Sequence, residues 1–152
     1  MQLVQVDRPG PPLDEVRALL GEYWTSFGFT PCFQGFDEEL AGLPGAYAPP
    51  LGALLLAPAK GCVAVRPLDA RTAEMKRLYV RAGARGTGLG RTLAEAAVAH
   101  ARERGFARLV LDTIPGRMDE AIALYRSMGF RDALPYASAP TPGALCLELP
   151  LQ

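Results

Sequence analysis

The sequence predicts a mixed α/β fold, on three observations. Apolar runs of strand length alternate with segments whose apolar residues recur at helical spacing. Two of the strands, Ala73–Val80 and Ala107–Thr113, flank one long helical segment, which makes them a parallel pair joined by a crossover. The 152 residues are 49% hydrophobic and 21% charged, which fits one domain, residues 1–152, with a core that needs no disulfide or metal.

The elements follow in chain order. Residues 2–7 alternate weakly, as a short strand does. Pro11 and Pro12 suit the first turn of a helix, where a missing N–H costs nothing. Leu13, Val16, Leu19, Leu20, Tyr23 and Trp24 continue that helix to about Ser26, before Gly28 and Pro31 stop it. A second short helix is expected from Phe36 to Ala41, ended by Gly42. Residues 42–52 are rich in Gly and Pro and read as loop. Ala53–Ala57 and Gly61–Arg66 are strands joined by the turn Pro58-Ala59-Lys60-Gly61. Ala73–Val80 is the next strand, and a Gly- and Arg-rich turn follows over 81–90. The long helix spans about 88–104, with Leu89, Leu93, Ala96, Ala97, His100 and Ala101 as its apolar stripe and Gly105 as its stop. Ala107–Thr113 reads as a buried strand. Residues 117–128 form a helix with Ile122, Leu124, Tyr125 and Met128 as apolar positions. Residues 131–134 and 144–149 close the fold as strands.

Composition excludes several classes of function. Sixteen basic residues balance sixteen acidic ones, so no field favours a nucleic acid or an anionic membrane surface. No apolar run reaches the roughly 18–20 residues that span a bilayer. Residues 1–7 lack the basic and apolar regions of a signal peptide, and a cytoplasmic location is expected. Cys32, Cys62 and Cys146 are odd in number and widely spaced, the pattern of reduced thiols rather than a metal or disulfide framework. His100, the single histidine, reads as a packed or half-exposed helix residue. A homodimer is compatible with the chain.

The segment that carries chemistry is Arg85-Gly86-Thr87-Gly88-Leu89-Gly90-Arg91, between a strand and the long helix. Glycines let the backbone take positive φ and let a ligand approach without a Cβ in the way. Successive amides of such a turn, feeding a helix N-terminus, form an anion cradle, and Arg85 and Arg91 add charge at its mouth. A phosphate or pyrophosphate guest follows. No Gly-Lys-Ser/Thr is present for a P-loop. A dinucleotide fingerprint would want a small residue where Arg91 stands and an earlier place in the chain, although Asp112 lies near the spacing of a ribose-binding acid.

Arg85-Gly86-Thr87-Gly88-Leu89-Gly90 matches the [QR]-x-x-G-x-[GA] acetyl-CoA signature of the GNAT superfamily. Glu74–Val80 resembles that family's fourth strand, and Ala123–Phe130 its later Y-x-x-x-G-F segment. The three segments arrive in the family's order over about 61–135, and the match resembles a bacterial subgroup of small N-acetyltransferases of unknown acceptor. The resemblance implies an acyl-CoA N-acyltransferase fold of about 6–7 strands and four helices, with two central strands splayed apart. It implies acetyl-CoA as co-substrate, no metal, and a pantetheine arm that pairs with the backbone of Leu78, Tyr79 and Val80 like an added strand. One of those amides would polarise the thioester carbonyl. The acceptor would be a primary amine of a small molecule or peptide, attacking directly. The alternative is a non-catalytic module that senses acetyl-CoA.

Glu74 is the candidate base, directly or through a water. Period-two alternation puts Glu74, Lys76, Leu78 and Val80 on one strand face and Met75, Arg77 and Tyr79 on the other. Tyr125 is the candidate acid toward the departing thiolate. On the acceptor side, Tyr23, Trp24, Phe27, Phe29, Phe33 and Phe36 form an aromatic cluster, for most of which a core role is the favoured reading. Asp37, Glu38 and Glu39 would attract a cationic amine or simply favour a helix start. The loop 135–143 borders the acceptor entrance. Ala137 and Ala139 stand where similar sequences carry an aromatic and an asparagine.

Overall fold

The computed structural model describes residues 2–26, 35–116, 118–136 and 143–152. Seven strands form one sheet: β1 (Val4–Gln5), β2 (Ala53–Ala57), β3 (Gly61–Pro67), β4 (Thr72–Val80), β5 (Arg108–Thr113), β6 (Arg131–Asp132) and β7 (Leu145–Pro150). Their spatial order is β1-β2-β3-β4-β5-β7-β6. Only β4 and β5 run parallel, as the intervening helix requires. The helices are α1 (Pro11–Ser26), α2 (Phe36–Ala41), α3 (Leu89–Glu103) and α4 (Asp119–Ser127).

The sheet is covered on both faces. Beneath α3, Leu89, Leu93, Ala97 and Ala101 pack on Val63, Val65, Ala73, Met75, Leu109 and Leu111. Beneath α1 and α2, Leu13, Val16, Leu20, Tyr23, Trp24 and Phe36 pack on Leu54, Leu56, Cys62, Ala64 and Tyr79. The central strands are buried on both sides, which is why β2 and β3 read as continuous apolar runs. Gly61 lies close against β4: a Cβ there would stand 2.5 Å from the Tyr79 carbonyl oxygen.

The structure corrects three details of the sequence reading. The first strand shrinks to Val4–Gln5, the residues in register with Leu56 and Leu55, and Val6 N–H adds one bond to the Leu54 carbonyl at 2.8 Å. The buried stripe of α3 runs through Leu89, Leu93, Ala94, Ala97, Val98 and Ala101, so Ala96 and His100 lie at its margin. His100 is half-exposed, with Nε2 2.8 Å from the Leu51 carbonyl. The largest correction concerns β4. Cys62 pairs with Tyr79 and Ala64 with Lys76, so Arg77 and Leu78 together oppose the single residue Val63. This β-bulge breaks the period of two. Met75, Leu78 and Val80 face α3, whereas Tyr79 faces α1.

Arg77 occupies the bulge with φ of 61°, a left-handed conformation that strains a non-glycine residue by roughly 1–3 kcal/mol. Its guanidinium compensates. Nε and Nη2 donate to the two Glu39 carboxylate oxygens at 2.9 and 2.8 Å. The same group lies 5.2 Å from the Trp24 ring centroid and 5.5 Å from that of Phe36. Trp24 and Phe36 stack at 4.1 Å, so the acidic start of α2 serves to clamp the bulge. Phe27, Phe29, Phe33 and Cys32 lie outside the described residues, as do Ala137 and Ala139.

Candidate active site

The site is a consequence of two parallel strands that pair and then part. β4 and β5 hold register at Thr72–Arg108, Ala73–Leu109 and Glu74–Val110, and no further. Beyond Glu74 the strands diverge into a cleft of about 550 Å³, walled by residues 75–80 of β4 and 111–113 of β5. The N-terminal turn of α3 borders the cleft, together with Leu124 and Tyr125 of α4 and Tyr23 and Ser26 of α1. One edge of Leu78, Tyr79 and Val80 is occupied by β3, through the Gly61–Val80 and Cys62–Tyr79 pairs. The other edge faces the cleft, so its backbone groups, apart from the Val80 carbonyl that Arg85 engages, are available to an extended guest.

The Gly-rich turn sits where the sequence places it. Gly86 has φ of 79° and Gly88 φ of 85°, and Gly88 is the N-cap of α3 with no side-chain cap. The first-turn amides have no carbonyl within the helix to satisfy them. A Cβ added at Gly86 or Gly88 would meet no protein atom within 4 Å, so the space above the turn is open. Arg85, Gly86, Gly88, Leu89 and Gly90 line the cleft. Thr87 and Arg91 belong to the turn but not to the wall. Thr87 Oγ1 donates to the Ala84 carbonyl at 2.6 Å, closing the turn from behind. Arg91 Nη2 donates to Ser127 Oγ at 2.6 Å and ties α3 to α4. Arg85 Nε donates to the Val80 carbonyl at 3.0 Å, folding its charge back over the cleft mouth. Open space, uncapped amides and a flanking guanidinium together fit a diphosphate.

Tyr125 is buried within the core under α3, its ring 5.6 Å from Phe130, yet it also lines the cleft. Its hydroxyl has no hydrogen-bond partner among the described residues, and it is not sealed from solvent. Burial pushes the phenol well above its ordinary value, with the nearby Tyr23 hydroxyl adding to the effect. The group is therefore a neutral proton donor aimed at empty space.

Glu74 lies at the last paired position, at the vertex below the cleft, and is 3% exposed. Both its oxygens are engaged. Oε1 accepts from Arg66 Nε at 2.6 Å, and Oε2 accepts from the Tyr136 hydroxyl, which ties Tyr136 to the sheet. Asp112 of β5, unlike Glu74, lines the cleft, as do Asp119 and Glu120 at the start of α4. It has no ion pair among the described residues. Burial first, and then the charge of Glu74, raise its proton affinity above that of an ordinary aspartate. Sequence reasoning weighed Asp112 only as a ribose ligand. The available signal was an acidic residue directly after the apolar run Leu109-Val110-Leu111.

The two described cysteines are structural. Cys62 is fully buried, its thiol pushed up to about 12 by burial. Cys146 is buried as well, and both are free. Among the described residues no group of three or more His, Cys, Asp or Glu is arranged to hold a metal. Among those residues no helix is long and apolar enough to cross a membrane.

Comparison with known proteins agrees with this fold. The family model described as Acetyltransferase (GNAT) family matches residues 14–130. An uncharacterized N-acetyltransferase of Schizosaccharomyces pombe is 38% identical over 143 residues, covering 90% of this chain and 87% of that protein. An acetyltransferase from Streptococcus agalactiae superposes with a TM-score of 0.81 at 19% identity, covering 98% of this chain and 97% of its own. A GNAT family acetyltransferase from Elizabethkingia anophelis, solved with acetyl-CoA bound, superposes with a TM-score of 0.68 at 21% identity over 98% and 97% of the two chains. With the family model spanning the α1–α4 region that builds the cleft, the chain belongs to the GNAT family of acetyltransferases.

Proposed function

We propose that this acetyltransferase moves an acetyl group from acetyl-CoA to a primary amine of a small molecule or peptide, by direct attack within the β4–β5 cleft. The observation that carries the reading is the continuity of the cleft. A single cavity joins the uncapped α3 N-terminus, the free edge of Leu78–Val80, the Tyr125 hydroxyl and the Asp112 carboxylate. When bound, acetyl-CoA supplies a thioester whose carbonyl carbon accepts the amine and whose sulfur departs. The amides around Gly86 to Gly90 hold the diphosphate, with Arg85 beside them. The β4 edge aligns the pantetheine arm, and one of its N–H groups supports negative charge on the carbonyl oxygen.

Asp112 takes a proton from the attacking nitrogen, and Tyr125 donates its phenolic proton to the departing sulfur. A carboxylate raised by burial and a neighbouring charge is a better base than a solvated one, provided the pH leaves it ionised. Glu74, the base nominated from the sequence, acts through Asp112. Held by Arg66 and Tyr136, it is a positioning residue that raises the proton affinity of the carboxylate on the wall.

The test has two stages. A hundredfold excess of acetyl-CoA over its Kd should stabilise the protein by about 2.7 kcal/mol, seen as a melting shift. Free thiol should then be released in the presence of amines, and Asp112→Asn should lower kcat/KM roughly 10²-fold or more while coenzyme A still binds. Acetyl-CoA binding with no thiol release by any amine would support a sensor instead. Stabilisation by NAD in place of acetyl-CoA would remove the whole reading.

A further inference from the structure

The walls of the cleft carry opposite charges at one level of the sheet. Glu74 and Val110 are paired in register, so Lys76 and Asp112, each two residues further on, stand level with one another where the strands have separated. Both precede or avoid the bulge and share the sheet face of Glu74. Both line the cleft. The Lys76 charge eases the ionisation of Asp112 across the gap, but among the described residues no ion pair forms between them.

The neighbouring cations are committed. Arg66 pairs with Glu74 at 2.6 Å and Arg77 with Glu39 at 2.8 Å. Lys76 has no carboxylate within ion-pair distance among the described residues. Burial, followed by repulsion from Arg77 and Arg66, presses its proton affinity down, and the attractions of Glu74 and Glu39 offset this only in part. An ammonium held half-buried without a partner is costly unless something else supplies the anion. The co-substrate's phosphates do not: their cradle begins beyond Val80, four strand residues or roughly 13 Å away. The pantetheine arm is neutral.

We infer that the acceptor is an amine that also carries a carboxylate, a free amino acid, with its nitrogen at Asp112 and its carboxylate at Lys76. This rests on the proposed amine acetylation and narrows its acceptor class. Such a guest meets the two facing strand charges at once, the other charged lining residues, Arg85, Asp119 and Glu120, lying outside the two strands. A simple cationic amine would satisfy Asp112 and leave Lys76 uncompensated beside a second positive charge. A peptide N-terminus, whose adjoining carboxyl is an amide, would do the same.

The experiment compares matched sets: phenylalanine, phenylalaninamide and phenethylamine, with the equivalent sets built on leucine and glutamate. Acetyl transfer is read as thiol release. In at least one set the amino acid should exceed its amide and its decarboxylated amine by tenfold or more in kcat/KM. Lys76→Met and Lys76→Gln should each bring that ratio to within about threefold of unity, the loss falling mainly in KM. Retention of the coenzyme A melting shift shows that these variants fold. A second measurement does not need turnover. With coenzyme A present, the preferred amino acid should raise the melting temperature further, its amide should not, and the increment should vanish in Lys76→Met. Amides or decarboxylated amines used as well as every amino acid, or a preference unchanged in both Lys76 variants, overturns the inference while leaving amine acetylation standing. Absence of transfer to any amine overturns the proposed function itself. In that case an amino-acid-dependent melting increment would still support the Lys76 site, and its absence would remove that as well.

Discussion

Gly88→Val separates the cost to folding from the cost to binding. Gly88 has φ of 85°, and a Cβ built there meets no protein atom within 4 Å. The folding penalty is thus conformational rather than steric. Holding an L residue left-handed costs roughly 1–2 kcal/mol. At about 2–4 °C per kcal/mol for a chain of this size, the melting temperature should fall by about 2–8 °C. Binding suffers more, because the new side chain enters the open space above the α3 amides. Hydrogen bonds to a charged group contribute about 1.5–3 kcal/mol each, so displacing a diphosphate from two amides removes about 3–6 kcal/mol, or roughly 10²–10⁴-fold in Kd. Calorimetric titration with coenzyme A, alongside a melting curve of the free protein, reads both quantities. Gly83→Ala is the control: Gly83 has neither a positive φ nor a crowded Cβ and lies off the cleft, so both readings should stay near wild type. A Gly88→Val protein that melts cooperatively yet binds coenzyme A within threefold of wild type would refute the anion cradle.

Three further outcomes follow from the geometry. Tyr125→Phe should lower kcat by roughly 10²-fold with several amines and leave coenzyme A affinity within a few fold, and an unchanged kcat would remove Tyr125 as the acid. Glu74→Gln should move the acid limb of the kcat/KM–pH profile to lower pH. The Glu74 charge raises the Asp112 pKa, so its removal lets Asp112 stay ionised further into acid; a stationary or upward limb contradicts the coupling. Arg77→Met leaves Glu39 without its partner and should cost about 3–5 kcal/mol, measured by denaturant unfolding at neutral pH. Glu39 is affected first by burial, which raises its proton affinity, but the bonds and charge of Arg77 outweigh this and hold it below the ordinary carboxylate range. The stability contributed by the pair is complete above that range and lost as pH falls through the lowered native value. The deficit of the variant should therefore narrow in acid, and a constant deficit would show that Arg77 acts through packing alone.

The amino-acid sequence by itself determined the mixed α/β class, the order of the helices and strands and the position of the glycine turn. These features are local. Pro11 and Pro12 open a helix wherever it packs, and Gly86 and Gly88 permit left-handed backbone whatever surrounds them. The burial of Tyr23 and Trp24 follows from helical spacing in the same way. Tertiary structure decided which faces of β4 meet which neighbours. The bulge at Arg77 is held by Glu39 from 38 residues earlier and by the rings of Trp24 and Phe36, so no window along β4 contains its cause. Alternation read through that bulge puts Arg77, Leu78, Tyr79 and Val80 on the wrong faces relative to Glu74 and Lys76. The division between the two carboxylates arose in space as well. Glu74 stands where β4 still pairs with β5 and finds Arg66 and Tyr136. Asp112 stands just past the point where pairing ends and finds an open cleft with Lys76 across it. Residue type and spacing describe what a carboxylate can do, but the divergence of two parallel strands determines which one has room to do it.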